Sequence, residues 1–213
     1  MKNEKNKKTT VLRGMMFVLA AAVLASYFYP LKNVGEIFDG VIRLHVVASS
    51  DSEEDQRIKL SVRDAVLEKV SEATTGARTR EEAGAMIKAE LEAIEAAAND
   101  ALERAGSAET ARAVLRREEY PLRIYGGDTG GEAFALPAGE YESLRIVIGE
   151  GKGKNWWCVL FPPLCVNSAS VVAASRLAAG GISRETASLI LSDEKGECDF
   201  RFWIADAIAG IFR

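Results

Sequence analysis

A chain of 213 residues with 48% apolar and 27% charged side chains has the composition of a globular domain rather than of a disordered polypeptide. Three cysteines are too few for a cystine-rich scaffold or a four-cysteine zinc site. The formal charge of −4 is uneven: residues 1–30 hold Lys2, Lys5, Lys7, Lys8 and Arg13 against Glu4, a local +4 that leaves −8 on the remainder. That remainder is a poor match for nucleic acid, because phosphate binding takes clustered cations.

The N-terminal lysines precede an uncharged run, Gly14 to Tyr29, whose 16 residues would measure about 24 Å as a helix. This lies between the core of a signal peptide and a full span of the ~30 Å hydrocarbon layer. Ala20-x-Ala22 and Val23-x-Ala25 each supply small residues suited to cleavage. Residues 1–30 are therefore read as an N-terminal hydrophobic helix, either a cleaved signal peptide or a retained membrane anchor. Basic residues before the run hold the N-terminus inside and place the rest of the chain outside the cytoplasm.

Pro30 to Gly35 reads as a linker, and residues 37–213 as one exported domain. Val41 to Val47 is rich in β-branched residues and predicts a buried strand. Ser52 with Asp55, preceded by a serine-rich break, predicts a capped helix to about Ser71, with Ile58, Val62, Val66 and Val70 on one face. Thr79 with Glu82 predicts a second helix running to Gly106 along Ile87, Leu91, Ile94, Ala98 and Leu102. One or two strands are expected over Ala111 to Tyr125, interrupted near Pro121, then a loop at Gly126 to Gly131 and a turn at Pro137-Ala138-Gly139. Strands follow around Leu144 to Ile148 and Trp157 to Phe161, with Gly149 to Lys154 as a wide hairpin loop between them. Helices are expected over Ser168 to Ala179, Ser183 to Leu191 and Phe200 to Ile211. The fold class is α+β: a single domain with helices packed on a small mixed or antiparallel sheet, preceded by the hydrophobic helix.

Little catalytic chemistry is legible. Gly149-Glu-Gly-Lys-Gly-Lys154 lacks the glycine spacing and the Lys-Ser/Thr pair of a phosphate loop, and it does not open a helix. His45 is the only histidine, which excludes HExxH zinc hydrolases and every two-histidine metal site; no G-x-S-x-G elbow occurs. A Cys–His pair of His45 with Cys158 or Cys165 would make an exported thiol-dependent or cell-wall hydrolase, the alternative to a binding protein. No cofactor is called for. Two features stand out as costly without a purpose. One is the segment holding Arg43, His45 and Asp51. The other is the Trp156–Trp157 corner, where neighbouring side chains face opposite sides of a strand. These five residues are the partner-binding candidates. Outside the cytoplasm, Cys158 and Cys165 either form a disulfide, turned toward one another by Pro162-Pro163, or stay as reduced buried thiols with the third cysteine.

Arg43-Leu-His-Val-Val-Ala-Ser-Ser-Asp51-Ser-Glu-Glu-Asp-Gln56, Lys59-Leu-Ser-Val-Arg-Asp-Ala-Val-Leu67, Tyr120-Pro-Leu-Arg-Ile-Tyr-Gly126 and the run from Leu136 to Cys165 together resemble the stage II sporulation protein R family of endospore-forming bacteria. Ser49 departs from the asparagine expected there, Gly127 to Gly131 resembles an insertion, and residues 166–213 match only loosely. The resemblance implies a signalling protein rather than an enzyme. Such a protein is exported across the forespore membrane into the intermembrane space, where it activates a membrane-embedded aspartic protease that processes the precursor of sigma factor E.

Overall fold

The computed structural model describes residues 13–14, 16–21, 35–125, 134–164, 177–178, 180–183 and 186–187. The chain divides into two compact units, Met1–Gly35 with Asp199–Arg213, and Glu36–Cys198. In the first, residues 13–14 and 16–21 are helical, and Met16, Phe17, Val18 and Leu19 are exposed. Among the described residues no helix is long and apolar enough to cross a membrane. The linker and the helices expected beyond residue 165 fall mostly outside the described residues; 177–178 and 186–187 are helical.

The second unit is α+β. Its strands are β1 (Ile42–Val47), β2 (Ala111–Tyr120), β3 (Arg123–Tyr125), β4 (Phe134–Leu136), β5 (Gly139–Ile148) and β6 (Asn155–Phe161). Residues 35–40 are helical at its start, and its longer helices are α1 (Glu53–Ala73), α2 (Arg80–Ala89) and α3 (Leu91–Arg104). A mixed four-stranded sheet has the order β2-β5-β1-β6, with β1 parallel to β5 and antiparallel to β6, while β3 and β4 form a separate antiparallel pair. The β-branched run of β1 takes the interior place its composition demands, buried at all six positions.

Alternation along β1 divides the two faces. Ile42, Leu44 and Val46 meet Ile58, Val62, Val66 and Val70 of α1 and Ile94, Ala98 and Leu102 of α3 in one apolar core. Both expected helix starts form: Ser52 Oγ accepts from Asp55 N (3.1 Å), and Thr79 Oγ1 accepts from Glu82 N (3.2 Å). Arg43 and His45 point to the opposite, outer face. There a second apolar cluster, including Tyr120, Phe134, Leu136, Tyr141 and Val159, packs over part of the sheet.

Two expectations need correction. The second helix is two helices, with a break at Glu90 (φ −99°, ψ 12°). Because Glu90 N still bonds Met86 O and Ile94 N bonds Glu90 O, the apolar phase carries across the break, and Ile87 and Ile94 are both buried. The Gly149 to Lys154 loop is not a hairpin. β1 lies between β5 and β6, so the loop crosses over the end of β1, held by Lys152 N donating to Ser49 O (3.1 Å) and Gly153 N to Ala48 O (2.9 Å). Gly151 sits at φ +63°, and a Cβ on Gly153 would collide with the Ser50 carbonyl, which explains the glycine pattern. With these N–H groups bonded to the chain, the loop is a clasp rather than an anion cradle.

Candidate functional site

The antiparallel pairing of β1 with β6 brings together the two segments that the sequence singles out separately. Arg43 faces Val159 and His45 faces Trp157 on the outer side, while Leu44 faces Cys158 and Val46 faces Trp156 on the helix side. The indole of Trp157 stacks on the His45 ring with centroids 3.8 Å apart and meets Tyr120 edge-on at 4.7 Å. Trp156, 36% exposed, lies under the Arg63 guanidinium of α1 at 4.4 Å. Asp51, in the exposed turn after β1, accepts from Lys154 N (2.7 Å) and so ties that turn to the crossover loop.

Arg43 is fully buried. Its guanidinium lies 4.1 Å from the Tyr120 ring centroid and 4.8 Å from that of Tyr141; it donates from Nε to Cys158 O (3.4 Å) and from Nη2 to the Tyr125 hydroxyl. Nη1 has no hydrogen-bond partner, and no carboxylate pairs with Arg43 among the described residues. A buried cation without a counter-charge is costly, and the faces of the tyrosine rings supply the compensating field. Burial pushes the phenols of Tyr120, Tyr125 and Tyr141 above their ordinary value, against the pull of Arg43, so the cage itself stays uncharged near neutral pH.

His45 is linked on both sides. Nδ1 donates to Glu118 Oε2 (3.3 Å), and Nε2 meets the side-chain amide of Asn155 (2.8 Å). Glu118 also accepts from Ser143 Oγ (2.9 Å), Arg145 Nη1 (2.7 Å) and Arg116 Nη2 (2.7 Å). Burial alone would raise its carboxyl, but these bonds outweigh it and hold the group well below the usual carboxylate range. Ser143 Oγ shares a further 2.6 Å bond with the Tyr120 hydroxyl. Here the carboxylate, not the imidazole, contacts the serine, which is the wrong order for a nucleophilic triad.

The Cys158–His45 hydrolase pair is corrected by the same register. Cys158 belongs to the helix-side core and His45 to the outer face, and Cys158 is disulfide-bonded, so no thiolate meets the imidazole there. Cys165 lies outside the described residues. Among the described residues, no group of acidic, histidine and cysteine side chains is arranged to hold a metal. The sequence reading missed Glu118, Tyr120, Tyr141, Ser143 and Arg145. Its available signal was the burial predicted for β1, since a buried Arg and His require partners on neighbouring strands.

The family model of stage II sporulation protein R matches residues 38–171, a range that contains all six strands and the three helices. The stage II sporulation protein R of Bacillus subtilis (strain 168) is 39% identical over 165 residues, covering 75% of this chain and 71% of the relative. No solved structure matches the chain. The match takes in the Arg43 cage, the His45–Glu118 network and the tryptophan corner alike. The chain belongs to the stage II sporulation protein R family, and that membership implies a role in sporulation signalling.

Proposed function

We propose that the protein is an exported ligand that switches on a membrane-embedded aspartic protease, which then processes the precursor of sigma factor E. Residues 1–30 carry it across the forespore membrane, and residues 37–213 act in the intermembrane space. The observation that carries this reading is the family match, which spans the whole described sheet and its covering helices. Within that unit the exposed Asp51 turn and the Trp156 edge form the contact surface, since both reach solvent beside the crossover loop. Arg43, His45 and Trp157 work from beneath it by fixing the β1–β6 pair.

The test is co-expression in a non-sporulating bacterium of the protease, the sigma-factor precursor and this protein. Precursor cleavage should require the exported form, and Asp51→Lys and Trp156→Ala should reduce it while leaving the melting temperature near that of the parent. Cleavage at the same rate without this protein would remove the reading.

A further inference from the structure

The part of the outer sheet face around the exposed Arg112, Val114 and Arg116 has a distinct chemistry. Arg112, Val114 and Arg116 of β2 and Arg145 and Val147 of β5 line an open depression of about 730 Å³, together with Glu95 of α3. Val114 is 40% exposed. Arg116 and Arg145 share one oxygen of Glu118, whose other oxygen is taken by His45 and Ser143, and Arg112 has no ion-pair partner among the described residues. The face therefore presents more cationic donors than its carboxylates can satisfy, on a domain whose overall charge is negative.

The edge of β2 adds a second recognition element. The outward N–H groups of Ala111 and Ala113 are occupied by Asn99 Oδ1 (2.9 Å) and Glu95 Oε2 (2.8 Å) of α3. Alternation along the strand directs the N–H groups of Leu115 and Arg117 the same way, and no described residue takes them. The helix thus seals one end of the edge and leaves the other open.

We infer that this face binds an extended acidic segment of a protein partner, laid along the open end of β2 with its carboxylates on Arg112, Arg116 and Arg145 and an apolar side chain over Val114. The inference rests on the reading of the domain as a protein ligand and names the chemistry of what it grips. Charge complementarity selects the acidic segment. The exposed Val114 between the arginines and the free backbone donors suit a peptide strand better than a planar lipid surface.

The test uses the full chain and a fluorescein-labelled peptide of alternating threonine and glutamate, roughly ten residues long to match a long strand. Anisotropy should show binding that weakens with added salt and that exceeds binding of the matching threonine–lysine peptide. Arg112→Glu should weaken it at least about fivefold. Lys88→Glu, which makes the same kind of charge reversal on exposed α2 away from the β2 edge, should leave it unchanged. No binding, equal binding by the parent and Arg112→Glu, or an equal loss in Lys88→Glu overturns the inference. So does capture by phosphatidylglycerol vesicles without peptide binding, which would assign the face to lipid. The assay contains no protease, so its failure is separate from failure of the activation reading.

Discussion

Replacing Glu118 by glutamine removes one charge from the centre of the outer-face network and keeps the side chain's shape. Glu118 is 8% exposed and receives four hydrogen bonds, from His45, Ser143, Arg145 and Arg116. The two bonds from buried donors are worth about 1 kcal/mol each as charge-assisted bonds. Arg116 is half exposed and Arg145 a quarter exposed, so solvent screening limits them to a few tenths of a kcal/mol each. Glu118→Gln should therefore cost about 2–3 kcal/mol, equivalent to roughly 5–10 °C in Tm for a domain of this size. The pH dependence separates charge from shape. With the folded carboxyl held below its ordinary value of 4.5, its stabilisation is complete above that pH, where the unfolded carboxyl is ionised, and is lost as pH falls toward the lower folded value. Urea melts of parent and variant should differ clearly at about pH 5, and the gap should shrink by more than half near pH 3. Equal stability at neutral pH, or a gap as large at about pH 3, would refute the reasoning.

The other predictions concern the tryptophans, the cysteines and export. Trp157→Ala, which empties the space between His45 and Tyr120, should cost about 3 kcal/mol in a urea melt, whereas Trp156→Ala, at the exposed edge against Arg63, should cost about 1 kcal/mol or less; the reverse order would contradict the face assignment. Cys158 is disulfide-bonded, and peptide mapping without reduction should join it to Cys165; a Cys158–Cys198 peptide would overturn that pairing. Replacing Val18 and Leu19 with arginines should strand the protein in the cytoplasm, since each charge costs about 2.5–3.5 kcal/mol at the centre of an inserting helix; unchanged export in a fractionation assay would count against the N-terminal reading.

The local rules carried the sequence a long way. Ser52 and Thr79 mark helix starts because a capping oxygen needs only its own next turn, and the β-branched run of β1 marks an interior strand because only burial on both faces rewards it. Strand alternation was enough to separate the two tryptophans onto opposite faces, as the β1–β6 register shows. What escaped was non-local. A glycine-rich loop between two strands looks the same whether the strands pair or a third strand, far back in the chain, lies between them, and the parallel β1–β5 pairing leaves no local trace. Glu118 lay hidden for the same reason. In Arg116-Arg-Glu-Glu119 it reads as one solvated charge among four, and only the pairing of β2 with β5 sets it beside Ser143 and Arg145. The break at Glu90 left the apolar spacing intact and so was invisible to periodicity.

The central claim is that this protein signals as a ligand and that the protease performs the chemistry. The most direct measurement is the ratio of mature to precursor sigma factor E in sporulating cells lacking their own family member and supplied with this protein. The predicted result is maturation that depends on export of the protein and survives alkylation of any reduced thiol. Maturation at its normal time in cells without the protein, or its complete loss on alkylation alone, would contradict the account.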